Sequence, residues 1–402
     1  MQSILILTST YPRWLGDTEP AFVHYLGREL ARTFRVIVLA PHYPGASRCE
    51  LLEGITVYRF RYFFPFAEYL AYEGGILTNL KRNRFKLLLV PFFVAAQFGM
   101  LLRLCVKYRI SLVHAHWFIP QGVLAVLARM MFFRNLRVLS TSHGADLFAL
   151  RHGILQRLKR FVARRSDHVT VVSEAMKRQL QDMGCDPRSI SVQPMGVDLQ
   201  NCFTPDSEIG KQTDLIFVGR LVEKKGLATL LEALSLLRVD FPDLKLAIVG
   251  DGPEKQALQA LAGDLDIARQ VEFAGAVVNT QVPDWYRSAR IAIIPSIVAA
   301  DGDQEGLGLV AVEALGCGCA TVVSDLPALA DVVRDGENGL VFRAGDAGDL
   351  ATKIRRILSN HDLYEQLVRA SSRSVCDQFD WQPVGRSYIE IIEHCLAETP
   401  PR

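Results

Sequence analysis

Residues 214–237 read DLIFVGRLVEKKGLATLLEALSLL. The run 214–218 ends in Leu, Ile, Phe and Val, the pattern of a strand buried on both faces. From residue 227 the leucines fall at 227, 230, 231, 234 and 237, which is helical spacing. Gly219 and Gly226 bracket the basic loop between the two. A strand passing through a glycine loop into a helix is one crossover unit of a parallel sheet, because parallel neighbours cannot be joined by a hairpin.

Outward from this unit the alternation continues. Downstream, strands are expected at 244–249, 271–274, 291–295 and 320–324, with helices at 254–261, 282–288 and 309–315. Upstream, strands at 4–8, 36–40, 111–116, 137–141, 168–173 and 190–193 alternate with helices such as 19–32, 122–132 and 154–164. Residues 194–213 carry two prolines and no periodicity, so they read as a linker. The expectation is an α/β chain of two Rossmann-like domains, 1–200 and 207–380, whose parallel sheets face a cleft between them. An amphipathic helix at 383–397 is expected to pack back on the first domain. A length of 402 residues, roughly two to three times that of a usual domain, agrees.

Half of the residues are hydrophobic and 22% are charged, which excludes collagen-like, low-complexity and largely disordered chains. Eight cysteines show neither CxxC pairs nor Cys/His zinc spacing, so reduced thiols in a cytoplasmic protein are expected. No secretory signal is read in Ser3–Ser9, which runs into a polar loop. The net charge of +2 conceals opposite halves: residues 1–205 hold 26 Lys and Arg against 13 Asp and Glu, and the rest hold 19 against 30. No acidic residue occurs from Gly74 to Ala145, where ten Lys and Arg fall. Such an excess draws an anionic partner, whether lipid, phosphate or nucleic acid. The lack of an RNP-type aromatic motif and of a recognition helix speaks against nucleic acid.

The apolar run Leu87–Leu102 spans sixteen residues, short of the roughly twenty that cross a bilayer, so a buried or interfacial helix is expected. Basic and aromatic residues interleave in 59–66 (RFRYFFPF) and 81–92 (KRNRFKLLLVPF). The expectation is a peripheral protein on the inner face of an anionic membrane.

Three segments carry chemistry. In 305–313, EGLGLVAVE, Glu305 and Glu313 stand eight residues apart around Gly306 and Gly308, at a loop that opens a helix. The N–H groups of such a terminus suit a diphosphate, and a carboxylate further inside accepts from ribose hydroxyls. A plainer account makes Glu305 a first-turn acid and Glu313 a solvated helix residue. In 217–226, FVGRLVEKKG, Arg220 and Lys225 leave a strand end together, suited to clamp two phosphates, while Glu223 and Lys224 read as a solvated charge run. The following Gly250-Asp251-Gly252-Pro253 reads as a tight turn. In the first half, strands end in His114-Ala115-His116-Trp117 and Ser142-His143-Gly144-Ala145-Asp146. His116, His143 and Asp146 are read as facing a ligand, against the alternative of structural histidines. Asp301-Gly302-Asp303 is read as a solvated turn and not as a metal site.

Together these segments resemble the retaining glycosyltransferases of family 4, group 1, which have the GT-B fold. The likeness runs through TSTYPRWLGD at 8–17, VHAHW, TSHGAD, VVSEAM, PMGVD, FVGRLVEKKG, VGDGP, the Glu-x7-Glu run and a terminal FDW. It implies that Arg220 and Lys225 bind the donor diphosphate, that Glu313 binds the ribose, and that Glu305 with Gly306, Leu307, Gly308 and Leu309 meets the donor sugar and phosphates. It also implies that His116 is the active-site histidine, with His143 and Gly16 as further ligand contacts. Where many members carry a Gly-Gly pair followed by Glu, this chain has Leu15-Gly16-Asp17-Thr18-Glu19, which leaves Gly16 to supply a close backbone approach.

The activity so implied is transfer of a hexose-type sugar from a nucleotide sugar, UDP- or GDP-linked, to a hydroxyl of a glycan or lipid-linked envelope polysaccharide precursor. Configuration is retained, and no metal or other cofactor is needed. The implied partners are the nucleotide sugar, that acceptor and an anionic membrane surface, with no nucleic acid. The alternatives are a nucleotide-sugar epimerase of the same fold and a non-catalytic nucleotide-binding protein with an anionic partner.

Overall fold

The computed structural model describes residues 1–17, 19–72, 74–148, 153–206 and 208–397; Thr18 of the first loop lies outside them. The chain forms two compact units: Met1–Val172 with Met176–Gly196 and Trp381–Arg402, and Ser173–Ala175 with Val197–Asp380.

The first unit is built on β1 (Ser3–Leu7), β2 (Arg35–Pro41), β3 (Cys49–Leu52), β4 (Ile55–Phe60), β5 (Leu112–His116), β6 (Arg137–Ser142), β7 (His168–Val171) and β8 (Ile190–Val192). Their order in the sheet is β3-β4-β2-β1-β5-β6-β7-β8, and β3 alone runs antiparallel to its neighbour. Ile4 pairs with Val36 on one side and Leu112 on the other, which fixes the register at the centre. The second unit holds β9 (Thr213–Val218), β10 (Leu246–Val249), β11 (Val271–Gly275), β12 (Ala289–Ile294), β13 (Ala320–Ser324) and β14 (Leu340–Phe342). Their order is β11-β10-β9-β12-β13-β14, all parallel.

Central strands buried on both faces are mostly apolar, as in LAIV of β10, and in ATVVS of β13 the buried Thr321 and Ser324 hydroxyls donate to the Cys319 and Ser296 carbonyls. The helix Leu227–Leu237 buries Leu227, Leu230, Leu231, Leu234 and Leu237 against this sheet, each worth about 1.5–3 kcal/mol when removed from water. The last helix, Trp381–Ala397, belongs to the first unit, where a Cβ at Gly385 would stand 2.6 Å from Glu29.

Two expectations about the first unit change. The hairpin β3–β4 turns at Glu53 and Gly54, both at positive φ, and it takes in the start of the basic and aromatic stretch 59–66. Arg59, Phe60 and Tyr62 are buried, and Arg59 donates to Ser47 O and Pro12 O, so these three face the core instead of an interface. The apolar segment after β4 forms a helix of 25 residues, Arg84–Tyr108, long and apolar enough by length and composition to cross a membrane. The reading that it is too short therefore fails. It lies on the sheet, burying Phe93, Gln97, Leu101, Leu104 and Cys105.

Candidate active site

In the second unit the chain steps from β9 to β10 and β11 on one side, then crosses to β12 on the other. Ligands of open α/β sheets bind beyond the strand ends at such a reversal. The loop carrying Arg220 and Lys225 follows β9, and the loop carrying Glu305 follows β12. Glycines let these loops pack backbone to backbone. A Cβ on Gly250 would stand 1.9 Å from Gly219 O, one on Gly252 2.2 Å from Leu221 O, and one on Gly226 1.9 Å from Pro295 O. The tight turn at 250–253 is therefore a clearance device for the Arg220 loop.

Glu223 and Lys224 are not a solvated run, and Lys225 is paired as they are. The Ala300 N–H donates to Glu223 at 2.9 Å, Lys224 pairs with Asp303 at 3.2 Å, and Lys225 pairs with Glu305 at 2.6 Å. Three consecutive side chains lace one loop to the other. Asp303 has a lysine ammonium as its counter-ion, so the 301–303 segment is tied down and not a free turn. The Lys225 and Glu305 side chains are only 14% and 15% exposed, which limits solvent screening of the pair. Burial pushes the Glu305 carboxyl up, but Lys225, Lys224 and the Gly306 N–H outweigh it and hold the group below its ordinary range. Arg220 sits half-buried on the same turn, its carbonyl accepting from the Val222 N–H at 3.0 Å.

Gly306 and Leu307 are buried, and Gly308 caps the helix Leu309–Gly316 at φ +80°, with no side-chain cap on its N–H groups. A Cβ at Gly308 would stand 2.3 Å from the Leu329 side chain. Glu313 lies on the second turn of this helix, half-buried. Burial pushes its carboxyl up to about 7, against the pull of Lys225 and Tyr286. Tyr286 donates to Val310 O at 3.2 Å and stands 3.5 Å from Glu313 Oε2. Sequence reading missed Tyr286, which belongs to no motif and reaches Glu313 from the separate helix Val282–Ser288.

In the first unit the reversal lies between β1 and β5. His116 ends β5 and Gly16 lies on the loop after β1. Trp117, next to His116, has φ +73°, a conformation that costs a bulky residue of order 1–3 kcal/mol and is characteristic of functional sites. His116 Nδ1 and His143 Nε2 are 2.9 Å apart, and the rings are 4° from parallel with centroids 5.1 Å apart. The two imidazoles therefore meet edge to edge and share one proton, one nitrogen donating and the other accepting. His116 is fully buried and its Nε2 has no protein partner. Burial keeps both rings neutral: His143 is pushed down to about 3, and at His116 the neighbouring His114 and His143 add to the effect.

Asp146 does not face a ligand, and His114 is fully buried within the sheet. His114 Nε2 is engaged by Thr141 Oγ1 at 2.7 Å, and that hydroxyl meets Thr170 Oγ1 at 2.5 Å. Asp146 accepts from the Phe118 N–H and the Ser142 hydroxyl, each at 2.8 Å, which anchors the turn after Trp117. At Gly16, φ is +77° and a Cβ would meet nothing within 4 Å, so glycine is required there by conformation and not by close packing. Its loop is closed by the Arg13–Asp17 pair at 2.6 Å, with Arg13 lying 4.7 Å from the Trp14 ring and 4.5 Å from that of Tyr43.

Among the described residues no group of three or more His, Cys, Asp or Glu is arranged to hold a metal. The second-unit cluster combines two cationic side chains, a helix N-terminus and a half-buried carboxylate, which suits a nucleoside diphosphate.

Residues 203–374 match the family described as glycosyl transferases group 1, and residues 21–201 match Glycosyltransferase Family 4. The chain is 26% identical over 403 residues to a GDP-mannose-dependent alpha-(1-6)-phosphatidylinositol monomannoside mannosyltransferase of Mycolicibacterium smegmatis, covering 97% of this chain and 98% of the relative. It is 28% identical over 280 residues to a putative colanic acid biosynthesis glycosyltransferase, WcaL, of Salmonella typhimurium, covering 68% of each. Sucrose-phosphate synthase of Thermosynechococcus elongatus superposes with a TM-score of 0.81 at 20% identity, over 99% of this chain and 100% of the other. Anabaena HepE, solved with UDP-glucose, gives 0.74 at 17% identity over 98% of this chain and 100% of the other.

Proposed function

We propose, since the chain belongs to the family 4, group 1 glycosyltransferases of GT-B fold, that it moves a hexose-type sugar from a UDP- or GDP-linked donor to a hydroxyl of a glycan or lipid-linked envelope polysaccharide precursor. The anomeric configuration is retained and no metal takes part. The observation that supports this best is the lacing of Glu223, Lys224 and Lys225 to the 300–305 loop at the sheet reversal, which fixes two ammonium groups on loops suited to receive a diphosphate. As the C1–O bond breaks, Arg220, Lys225 and the N–H groups opening the helix Leu309–Gly316 take up the developing negative charge. The leaving phosphate accepts the acceptor proton. Glu305 is committed to Lys225, so no carboxylate is assigned as a nucleophile. The protein works in the cytoplasm as a peripheral protein on the inner membrane face, a reading supported by the acid-free stretch from Gly74 to Ala145.

The test is a panel of nucleotide sugars offered to the purified protein. One or more bind and are slowly hydrolysed or transferred; if none binds or is consumed, the reading is overturned. A chelator changes the rate by less than twofold, because side chains and helix N–H groups supply the positive charge; strict dependence on magnesium or manganese would return Asp301 and Asp303 as ligands.

Glu313 gives the site a pH dependence whose sign follows from its raised carboxyl. The ionised form accepts from two ribose hydroxyls more strongly than the acid does, so affinity for the nucleoside diphosphate rises from roughly pH 6 to pH 8 and then levels off. Glu313→Gln flattens this profile and weakens binding about tenfold at the upper end, as expected for a lost hydrogen bond to a charged group. Calorimetric titration across that range measures both.

A further inference from the structure

Only 28% of the most apolar window of the helix Arg84–Tyr108 is buried. Its outer stripe leaves Phe92 53% and Val106 68% exposed, with Ala95 and Gly99 open between them. Its opening 3-10 segment, Arg84–Leu89, holds Phe85, Leu87 and Leu88 in the open. Phe64 and Phe66, from the short turn around Pro65–Ala67, stack 5.7 Å apart, and Phe63 links them to Phe92 at 5.2 Å. The four rings form one apolar cluster, and Phe85, Leu87 and Leu88 add exposed apolar surface at the head of the same helix, more than isolated surface hydrophobics.

The face has a defined position. β4 runs parallel to β2, so the chain leaves it at the carboxyl edge of the sheet. Gln97 donates to Thr8 O at 3.3 Å, which sets that point of the helix level with the end of β1. The part of the helix that precedes Gln97, from Arg84 on, thus projects past the strand ends, on the edge that carries Gly16 and His116. The rings of Tyr72, Tyr43 and Trp14, at successive separations of 5.3 and 6.4 Å, lead from this region to the loop after β1.

Charge decides what covers the face. Lys81, Arg82, Arg84 and Arg103 are exposed around it, and no acidic residue lies between Gly74 and Ala145. A second copy of the chain set against this face would bring like charges together. An anionic bilayer places phosphates against the cations and acyl chains against the rings.

We infer that this face docks flat on an anionic bilayer and that the acceptor is a membrane-borne lipid, whose chain stays in the bilayer while its hydroxyl-bearing head group reaches the loops at the ends of β1 and β5. The acceptor class rests on the glycosyltransferase reading; the docking surface stands apart from it.

The test uses the full chain, phosphatidylglycerol and phosphatidylcholine vesicles, and a variant with Phe64→Ser, Phe66→Ser, Phe85→Ser, Leu87→Ser and Leu88→Ser. The wild type sediments with phosphatidylglycerol vesicles at least tenfold more than with phosphatidylcholine. The variant loses that binding, keeps its affinity for the nucleoside diphosphate and so is shown to be folded. With a radiolabelled nucleotide sugar, label enters the solvent-extractable lipids of the source cells, presented in phosphatidylglycerol vesicles, at least tenfold faster than their water-soluble glycans. The variant loses that preference while its donor hydrolysis is unchanged. Equal sedimentation with both vesicles, a patch-dependent dimer without vesicle binding, or label confined to water-soluble product or free sugar would overturn the inference. If no nucleotide sugar is consumed at all, the glycosyltransferase reading fails instead, and vesicle sedimentation still tests the docking surface.

Discussion

Lys225→Ala is expected to lower turnover at saturating donor by about 100-fold, and Arg220→Ala by at least about tenfold. Loss of one charge-assisted contact to a departing diphosphate removes roughly 1.5–3 kcal/mol. Lys225 has a second duty, because its ammonium is the 2.6 Å partner of a Glu305 side chain only 15% exposed. An ammonium has three donors and can serve the carboxylate and a phosphate together. Without it, Glu305 is either an uncompensated charge that repels the diphosphate or a protonated acid that no longer laces the loops. Lys225→Arg keeps the charge and should recover part of the rate, with imperfect geometry. Steady-state kinetics with saturating donor separates these outcomes. Wild-type turnover in both alanine variants would end the diphosphate assignment.

His116→Ala is expected to reduce transfer by about 100-fold or more while changing nucleoside diphosphate affinity less than about threefold. Its Nε2 is a buried nitrogen without a protein partner, and the shared proton with His143 sets whether that nitrogen donates or accepts. His143→Ala should act in the same direction but more weakly, through the tautomer of His116. Burial keeps both imidazoles neutral far into the acid range, so the acid side of the rate profile should follow Glu313 and survive in a His143 variant. Equal losses in rate and in nucleotide affinity would mark His116 as structural.

Much of this molecule was legible in its sequence because parallel strands buried on both faces are mostly apolar and β-branched. The runs IAII at 291–294 and TVV at 321–323 mark β12 and β13 for that reason. The β3–β4 hairpin was not legible: its edge strand reads Cys49-Glu50-Leu51-Leu52 without alternation, and Arg59, although charged, is buried with its guanidinium held by two backbone carbonyls and Glu50. The candidate site residues were legible one at a time, as charges and glycines at strand ends. Their pairing was not, since Lys225 and Glu305 lie 80 residues apart and nothing local distinguishes Lys225 from a solvated lysine. Tyr286 was invisible for the same reason. Asp146 was over-read, because a carboxylate that caps a turn and one that meets a ligand look alike until their hydrogen bonds are seen.

The glycine clearances beneath the Arg220 loop bear on engineering. Gly226, Gly250 and Gly252 exist because backbone oxygens occupy the space that a methyl group would need. They specify how two loops cross, whatever sugar the pocket accepts, so a search for altered donor preference gains nothing by varying them. Even alanine at Gly250 would drive a carbon to 1.9 Å from Gly219 O and displace the loop that holds Arg220. A combinatorial library aimed at donor choice should freeze these three positions with Gly275 and Gly308 and place its diversity at 276–281. That irregular stretch follows β11, and its exposed positions leave room for side-chain change without disturbing the crossing.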